Sequence, residues 1–409
     1  MKRLLISLLM VSFILAMPPK VKLGIDVLEE RGFDILKGKR VGLITNQTGV
    51  SQDLRSTVDI LFEAPEVNLV ALYGPEHGVR GGYDAGEGVG NTIDPATGVT
   101  VFSLYDGSTS GPSEESLKNV DVLVFDIQDI GVRSYTYIST MGYCMEAAAE
   151  YGKEFIVLDR PNPLTGNIVE GTTAIDGFHS PVSAYKIPYV HGLTIGELAR
   201  VYNEEELLAN KVKCDLTVVP MKGWKRKMSF EDTGLKWLPS SPHIPEGDTP
   251  SHCVATGISG ELYLINVGIG YTVPFKCFAA EWIQTQELCD AMNDLELEGV
   301  IFTPVAYKPF YGAHQGKLVQ GVQIFITDFR KVELMNLQFR FMEVHHKLYP
   351  EHDIFKLSED RWRMFDMVCG TDEIRKTFMK NYRFEDIRSI LNGDAQEFKN
   401  MSKKYYLYK

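Results

Sequence analysis

Four polar stretches carry the groups that could do chemistry, and each directly follows a short apolar run. Asn46-Gln47-Thr48 follows 40–45, and Gly74-Pro75-Glu76-His77-Gly78-Val79-Arg80-Gly81-Gly82 follows 68–73. Asp126-Ile127-Gln128-Asp129-Ile130-Gly131-Val132-Arg133-Ser134-Tyr135 closes the run 120–126, and Asp159-Arg160-Pro161-Asn162-Pro163 closes 154–159, with Glu170 shortly beyond. Carboxylates set among arginines and tyrosines suit carbohydrate hydrolysis, in which one carboxylic acid protonates the leaving oxygen and a second group activates water or attacks. Glu76 is the candidate acid, Glu170 the candidate second carboxylate, and His77 a group to orient the acid or bind substrate. Arg80, Arg133 and Arg160 offer bidentate donors for an acidic group on a sugar. Tyr83, Tyr135 and Tyr137 offer faces for a sugar ring. Asp126, Asp129, Asn162 and Glu261 complete the candidate binding residues.

Each of these residues also has a bland reading. Glu76 could cap the next helix, Asp126 could lock its loop through backbone N–H groups, and Asp129 could pair with Arg133 four residues on. Other chemistries find little support. There is no Gly-x-Gly-x-x-Gly, no Gly-x-x-x-x-Gly-Lys-Ser/Thr and no Gly-x-Ser-x-Gly. The histidines lack His-Glu-x-x-His spacing, so no metal and no cofactor is expected. Six cysteines without a Cys-x-x-Cys read as buried free thiols.

The elements that must position these groups follow from the pattern. Nearly all-apolar runs at 40–45, 68–73, 120–126, 154–159 and 216–220 have the length of buried strands. Between them, 53–63, 113–119, 139–151 and 197–209 read as helices. Continuous apolar strands alternating with helices imply an α/β domain, a parallel sheet covered on both faces. Ligands of such sheets bind beyond the carboxyl ends of the strands, where the four polar stretches lie. Four prolines between Pro239 and Pro250 mark a linker or functional loop. Beyond it, strands at 262–267, 300–306 and 321–327, helices at 280–295 and 332–349, and a charged helical tail from 358 make a smaller α+β domain. The domain reading is therefore 20–238 for the catalytic domain and 239–409 for the C-terminal domain that completes the cleft.

Residues 1–17 read as a signal peptide: Lys2 and Arg3, then an uncharged run from Leu4 to Ala16 that is too short for a comfortable membrane span. The expected location is periplasmic or secreted, with no stable membrane span once the signal is cleaved. With 42 Lys+Arg against 54 Asp+Glu, the net charge of −12 argues against a nucleic-acid partner. The one basic cluster, 222–227, reads as a solvated loop. The pattern leaves the oligomeric state open.

The stretches at 74–81, 126–137 and 159–163 together resemble the NamZ-type exo-β-N-acetylmuramidases, a bacterial glycoside hydrolase family formerly labelled only as a domain of unknown function. Tyr185-Lys186-Ile187-Pro188, His191-Gly192-Leu193-Thr194-Ile195-Gly196-Glu197, Ser241-Pro242-His243-Ile244-Pro245 and Gly321-Val322-Gln323 extend the likeness over the mature chain. The resemblance implies a Rossmann-like domain with a smaller second domain and an active site in the cleft. It also implies release of N-acetylmuramic acid from the non-reducing ends of peptidoglycan fragments. One departure stands out: Val267, Ile269 and Val273 occupy positions where the family pattern carries charge. On a loop facing the cleft, they would alter the accepted sugar or chain length. They would also suit the alternative reading, a non-catalytic periplasmic binding protein for cell-wall saccharides, using the same crevice.

Overall fold

The computed structural model describes residues 21–82, 90–105 and 110–409. The expected signal peptide and Tyr83 lie outside the described residues. Seven strands form the main sheet: β1 (Arg40–Thr45), β2 (Asn68–Gly74), β3 (Thr92–Ile93), β4 (Thr100–Ser103), β5 (Val122–Asp126), β6 (Glu154–Leu158) and, past a small hairpin of β7 (Glu170–Thr173) and β8 (Pro188–Val190), β9 (Asp215–Val219). Their order is β3-β4-β2-β1-β5-β6-β9, parallel except for the β3–β4 pair.

Side-chain alternation sorts the apolar runs onto two faces. Ile44, Leu123, Phe125, Phe155 and Val157 pack under helices Tyr137–Glu150 and Ile195–Glu204. Val41, Leu43, Val122, Val124, Ile156 and Leu158 face the other way, against helices Gly24–Glu30 and Thr57–Glu63. With both faces covered, the strand interiors are apolar on both sides, which is why these runs read as nearly continuous. From β1 the chain winds outward to β2 on one side and to β5, β6 and β9 on the other, so the topological switch lies between β1 and β5. Two bonds seal that junction: Thr45 Oγ1 donates to the Asp126 carbonyl at 2.8 Å, and the Gln128 N–H donates to Thr48 Oγ1 at 2.9 Å.

The second domain is built on an antiparallel sheet, β10 (Cys277–Ala280), β12 (Val319–Ile326) and β11 (Val300–Tyr307), in the order β10-β12-β11. Helix Thr285–Asn293 packs on it, as does helix Leu334–Leu348 through Phe341 stacked on Phe278, and helix Thr249–Gly260 packs on the latter. Its apolar core runs on into the first domain through Ile130, Val132, Tyr189 and Val190, so one continuous core fixes both walls of the cleft.

Three expectations change here. Residues 262–267 form turns rather than a strand, with Tyr263 at φ +59°. The segment after Pro239 is a loop as far as Asp248, where helix Thr249–Gly260 begins, and the helix expected from 280 starts only at Thr285, after β10. The basic cluster is a loop whose Lys222, Lys225 and Lys227 are exposed, but Arg226 is buried, donating to Glu197 at 2.7 Å and to the Gly192 carbonyl at 2.6 Å. Its guanidinium lies over the Tyr406 ring, 3.4 Å from the centroid, so the C-terminal tail returns to the first domain. All six cysteines are free and buried. Among the described residues no helix is long and apolar enough to cross a membrane.

Candidate active site

β2 ends at Gly74, and Pro75 carries Glu76 past the edge of the sheet. The chain reverses at once through two left-handed residues, His77 at φ +72° and Gly78 at φ +76°. The Gly78 N–H closes the turn on the Pro75 carbonyl at 2.9 Å. Glycine adopts this region freely. A histidine there costs about 1–3 kcal/mol, a strain that concentrates at functional loops. Glu76 is half-buried, and its Oε2 accepts from Thr136 Oγ1 at 3.0 Å. Thr136 directly precedes helix Tyr137–Glu150, so the loop after β5 holds the carboxylate that the loop after β2 presents.

Two tyrosines from the same stretch floor the site. Tyr135 and Tyr137 meet edge to face with centroids 4.9 Å apart. Tyr135 OH donates to Ser240 Oγ at 2.8 Å and Tyr137 OH to the Ser240 carbonyl at 2.7 Å. Gln47 Nε2, beyond β1, donates to the Pro239 carbonyl at 2.9 Å, so the stretches after β1 and β5 together clamp the segment entering the second domain. Burial first, then Tyr135 and the nearby Glu76 charge, push the Tyr137 hydroxyl well above its ordinary pKa, while Asn46 beside it pulls the other way. That hydroxyl stays protonated and serves as a neutral donor.

His243 links the site to the second domain, its Nε2 lying 2.8 Å from Tyr311 OH. Burial and the proximity of His77 lower the His243 pKa, which keeps the imidazole neutral at neutral pH. The Glu76 loop also borders a cavity of about 440 Å³ lined by Gly74, Pro75, Gly78, Arg80, Asp94 and Ser103. Pockets for small ligands fall in this size range.

Of the expected site residues, Glu76, His77 and Tyr135 come together. Others have different work. Arg133 is 1 % exposed and faces no ligand. Its Nη1 donates to the carbonyls of Thr172 and Ile187, and its Nη2 to that of Val368 at 2.8 Å. Nor does it pair with Asp129: burial without a carboxylate partner presses its pKa down to about 10. Arg80 is committed to Asp94 and Asp59, each at 3.0 Å. Asp126 is fully buried and takes Arg160 as a two-pronged partner, with Thr57 as a third donor.

Asp129 Oδ2 accepts from the Gly131 N–H at 2.7 Å and lies 3.3 Å from His191 Nε2. Asn162 ties its own turn, accepting from the Leu164 N–H and donating to the Leu193 carbonyl, both at 2.9 Å. Gly131 is required beside it, since at φ +80° a Cβ would sit 2.5 Å from Asn162 Oδ1. Glu170 Oε2 accepts the Met335 N–H at 2.9 Å at the start of helix Leu334–Leu348, so its carboxylate caps that helix. Burial, opposed by the Met335 and Leu334 N–H groups, pushes its pKa up to about 7. Glu261 ends helix Thr249–Gly260 and pairs with Arg361 at 3.5 Å.

Val267 does not face the cleft, being 3 % exposed in the second-domain core, while Ile269 and Val273 pack partly against apolar clusters. The feature that favoured a binding protein therefore belongs to packing. Sequence reasoning missed Thr136, Ser240 and Tyr311. Their neighbours in the motifs were the available signal for the first two, and nothing marked Tyr311.

The comparison with known proteins decides the family. The model of the N-terminal part of the exo-β-N-acetylmuramidase NamZ matches residues 41–248, and that of its C-terminal part matches 254–408. The chain belongs to the NamZ family. It is a glycoside hydrolase, 46% identical over 393 residues to the peptidoglycan β-N-acetylmuramidase NamZ of Bacillus subtilis strain 168, covering 96% of this chain and 92% of that one. Two crystal structures of DUF1343 family proteins from Bacteroides fragilis share the fold of this NamZ member. One has a TM-score of 0.91 at 53% identity, covering 95% of this chain and 99% of the other. The second has a TM-score of 0.76 at 29% identity, covering 96% and 99%.

Proposed function

We propose that this protein hydrolyses the glycosidic bond following N-acetylmuramic acid at the non-reducing end of peptidoglycan fragments, with Glu76 as the general acid. The observation that carries this reading is the placement of Glu76. It projects from the carboxyl end of a parallel strand on a strained turn, held by Thr136, and its loop neighbours Pro75 and Gly78 border a cavity of about 440 Å³. A general acid in this place passes a proton to the leaving oxygen and recovers it from water. His77 follows it directly, and His243 lies beside His77. The N-terminal leader supports export and action on cell-wall fragments outside the cytoplasm, and no cofactor enters this scheme.

The test is incubation of the purified protein with chromogenic glycosides of N-acetylmuramic acid and N-acetylglucosamine. Release from the first in clear preference to the second is expected. Absence of release from the first, with folded protein, contradicts the reading.

A further inference from the structure

The second domain presents a group of aromatic side chains that neither the core nor the acid–base chemistry uses. Phe310 is 73 % exposed, Tyr311 48 % and Tyr271 37 %. Soluble proteins rarely leave adjacent large apolar rings in water without a partner for them. Here the rings are ordered into a surface. Tyr271 stacks on Tyr307 with centroids 4.6 Å apart and 17° between planes, and Phe310 continues the stack 6.3 Å from Tyr271 at 28°.

The backbone beneath is built to hold that surface. The Phe310 N–H donates to the Gly270 carbonyl at 2.7 Å, and Tyr307 OH donates to Asn266 Oδ1 at 2.7 Å. Buried Asn266 then pins both loops, donating from Nδ2 to the carbonyls of Ile269 at 3.0 Å and Ala313 at 2.8 Å. Gly270, at φ +81°, lets the loops cross so closely that a Cβ there would sit 2.0 Å from the Tyr311 carbonyl oxygen. Val273 packs beneath with Tyr307. Two loops locked this way lose little further entropy when a flat ligand lands on the rings.

The surface also adjoins the active site. Tyr311, next to Phe310, meets His243 at 2.8 Å, and His243 neighbours His77 on the Glu76 loop. The cavity bordered by the Glu76 loop is lined by first-domain residues, whereas this surface is carried by the second domain. In a hydrolase that removes one terminal sugar, the remaining chain needs an open track beyond the acid.

We infer that Phe310, backed by Tyr271, forms a binding track for the leaving part of the saccharide, stacking against the apolar face of an N-acetylhexosamine ring beyond the cleaved bond. This rests on the proposed glycosidase reading and adds where the rest of the chain binds.

The experiment compares Phe310→Ala, Tyr271→Ala and Phe310→Trp with the native protein on three substrates: N-acetylmuramyl fluoride, whose leaving group has no ring, and muramyl-terminated di- and tetrasaccharides. The native KM should fall as the chain lengthens. Phe310→Ala and Tyr271→Ala should raise KM for the saccharides by about tenfold, the weight of a lost ring contact, while leaving the fluoride unaffected. Phe310→Trp should retain the native length dependence. Unchanged length dependence in both alanine variants overturns the inference. Calorimetric titration with N,N′-diacetylchitobiose reads the track without turnover. If the native protein hydrolyses nothing, the glycosidase reading fails separately, and the track stands only if this binding is present and weakened in the alanine variants.

Discussion

Thr136 donates its hydroxyl to the Glu76 carboxylate at 3.0 Å, and this bond joins two strand-end loops on either side of the topological switch. It fixes the direction of the carboxylate without adding charge, so it acts on geometry and on the proton together. Thr136→Val should therefore lower kcat on saccharide substrates by about five- to tenfold, the weight of one hydrogen bond, with little change in KM. An unaltered kcat would show that Thr136 does not position the acid.

Arg133 illustrates how a residue can be legible in type and illegible in role. An arginine in a strand-end loop reads as a ligand for an anion, yet its guanidinium holds backbone carbonyls from the hairpin and from the second domain. Arg133→Ala leaves those buried acceptors unpaired, at about 1–3 kcal/mol each. The expected outcome is a loss of several kcal/mol in urea unfolding, and the residual folded fraction should keep its preference among sugars. A stable variant with altered sugar preference would restore Arg133 to the binding site.

The C-terminal tail is a structural strap. Tyr408 OH donates to the buried carboxylate of Asp159 and accepts from the Met221 N–H at 2.8 Å. Thr194 and the Gly196 N–H complete the carboxylate's shell, and burial still pushes its pKa up to about 7. Tyr408→Phe removes a donor from that buried group and should cost about 1–3 kcal/mol, read as a lower Tm. An unchanged Tm would mean that the tail contributes nothing through this bond.

Glu170 supplies the clearest pH dependence. Its pKa rises from 4.5 to about 7 on folding. The folded state therefore binds the proton more tightly than the unfolded chain. This contribution to stability is fully present below about pH 4.5 and is lost as pH rises through about 7. Glu170→Gln keeps a carbonyl oxygen for the helix N–H groups without the charge. Relative to the native protein, it should gain stability between pH 5 and pH 8 in denaturant titrations. A constant difference across that window would contradict the assignment.

The parts of the fold legible in sequence are those where burial erases ambiguity. The sheet strands β1, β2, β5 and β6 are covered on both faces, so their apolar runs leave no other reading. Helix Thr249–Gly260 was obscured because its start carries proline and its body carries glycine and serine. Packing on helix Leu334–Leu348 holds it, including Gln338 bonds to the Ser259 N–H and the Val254 carbonyl, both at 2.9 Å. Residues 262–267 were misread because apolar side chains packed from turns leave the same pattern as a strand. In the site, Glu76 was legible from its place after β2. Asp126 and Arg160 were not, since two groups that each look like ligands turn out to satisfy one another.

The central claim is that Glu76 protonates the leaving oxygen. The most direct measurement is kcat/KM of Glu76→Gln on two N-acetylmuramic acid glycosides: a disaccharide, whose leaving sugar needs a proton, and a dinitrophenyl glycoside, whose leaving group does not. General-acid help contributes about 10²–10⁴-fold, so the disaccharide rate should fall by that factor while the dinitrophenyl rate stays within about tenfold of native. An equal loss on both substrates, or a near-native rate on the disaccharide, would contradict it.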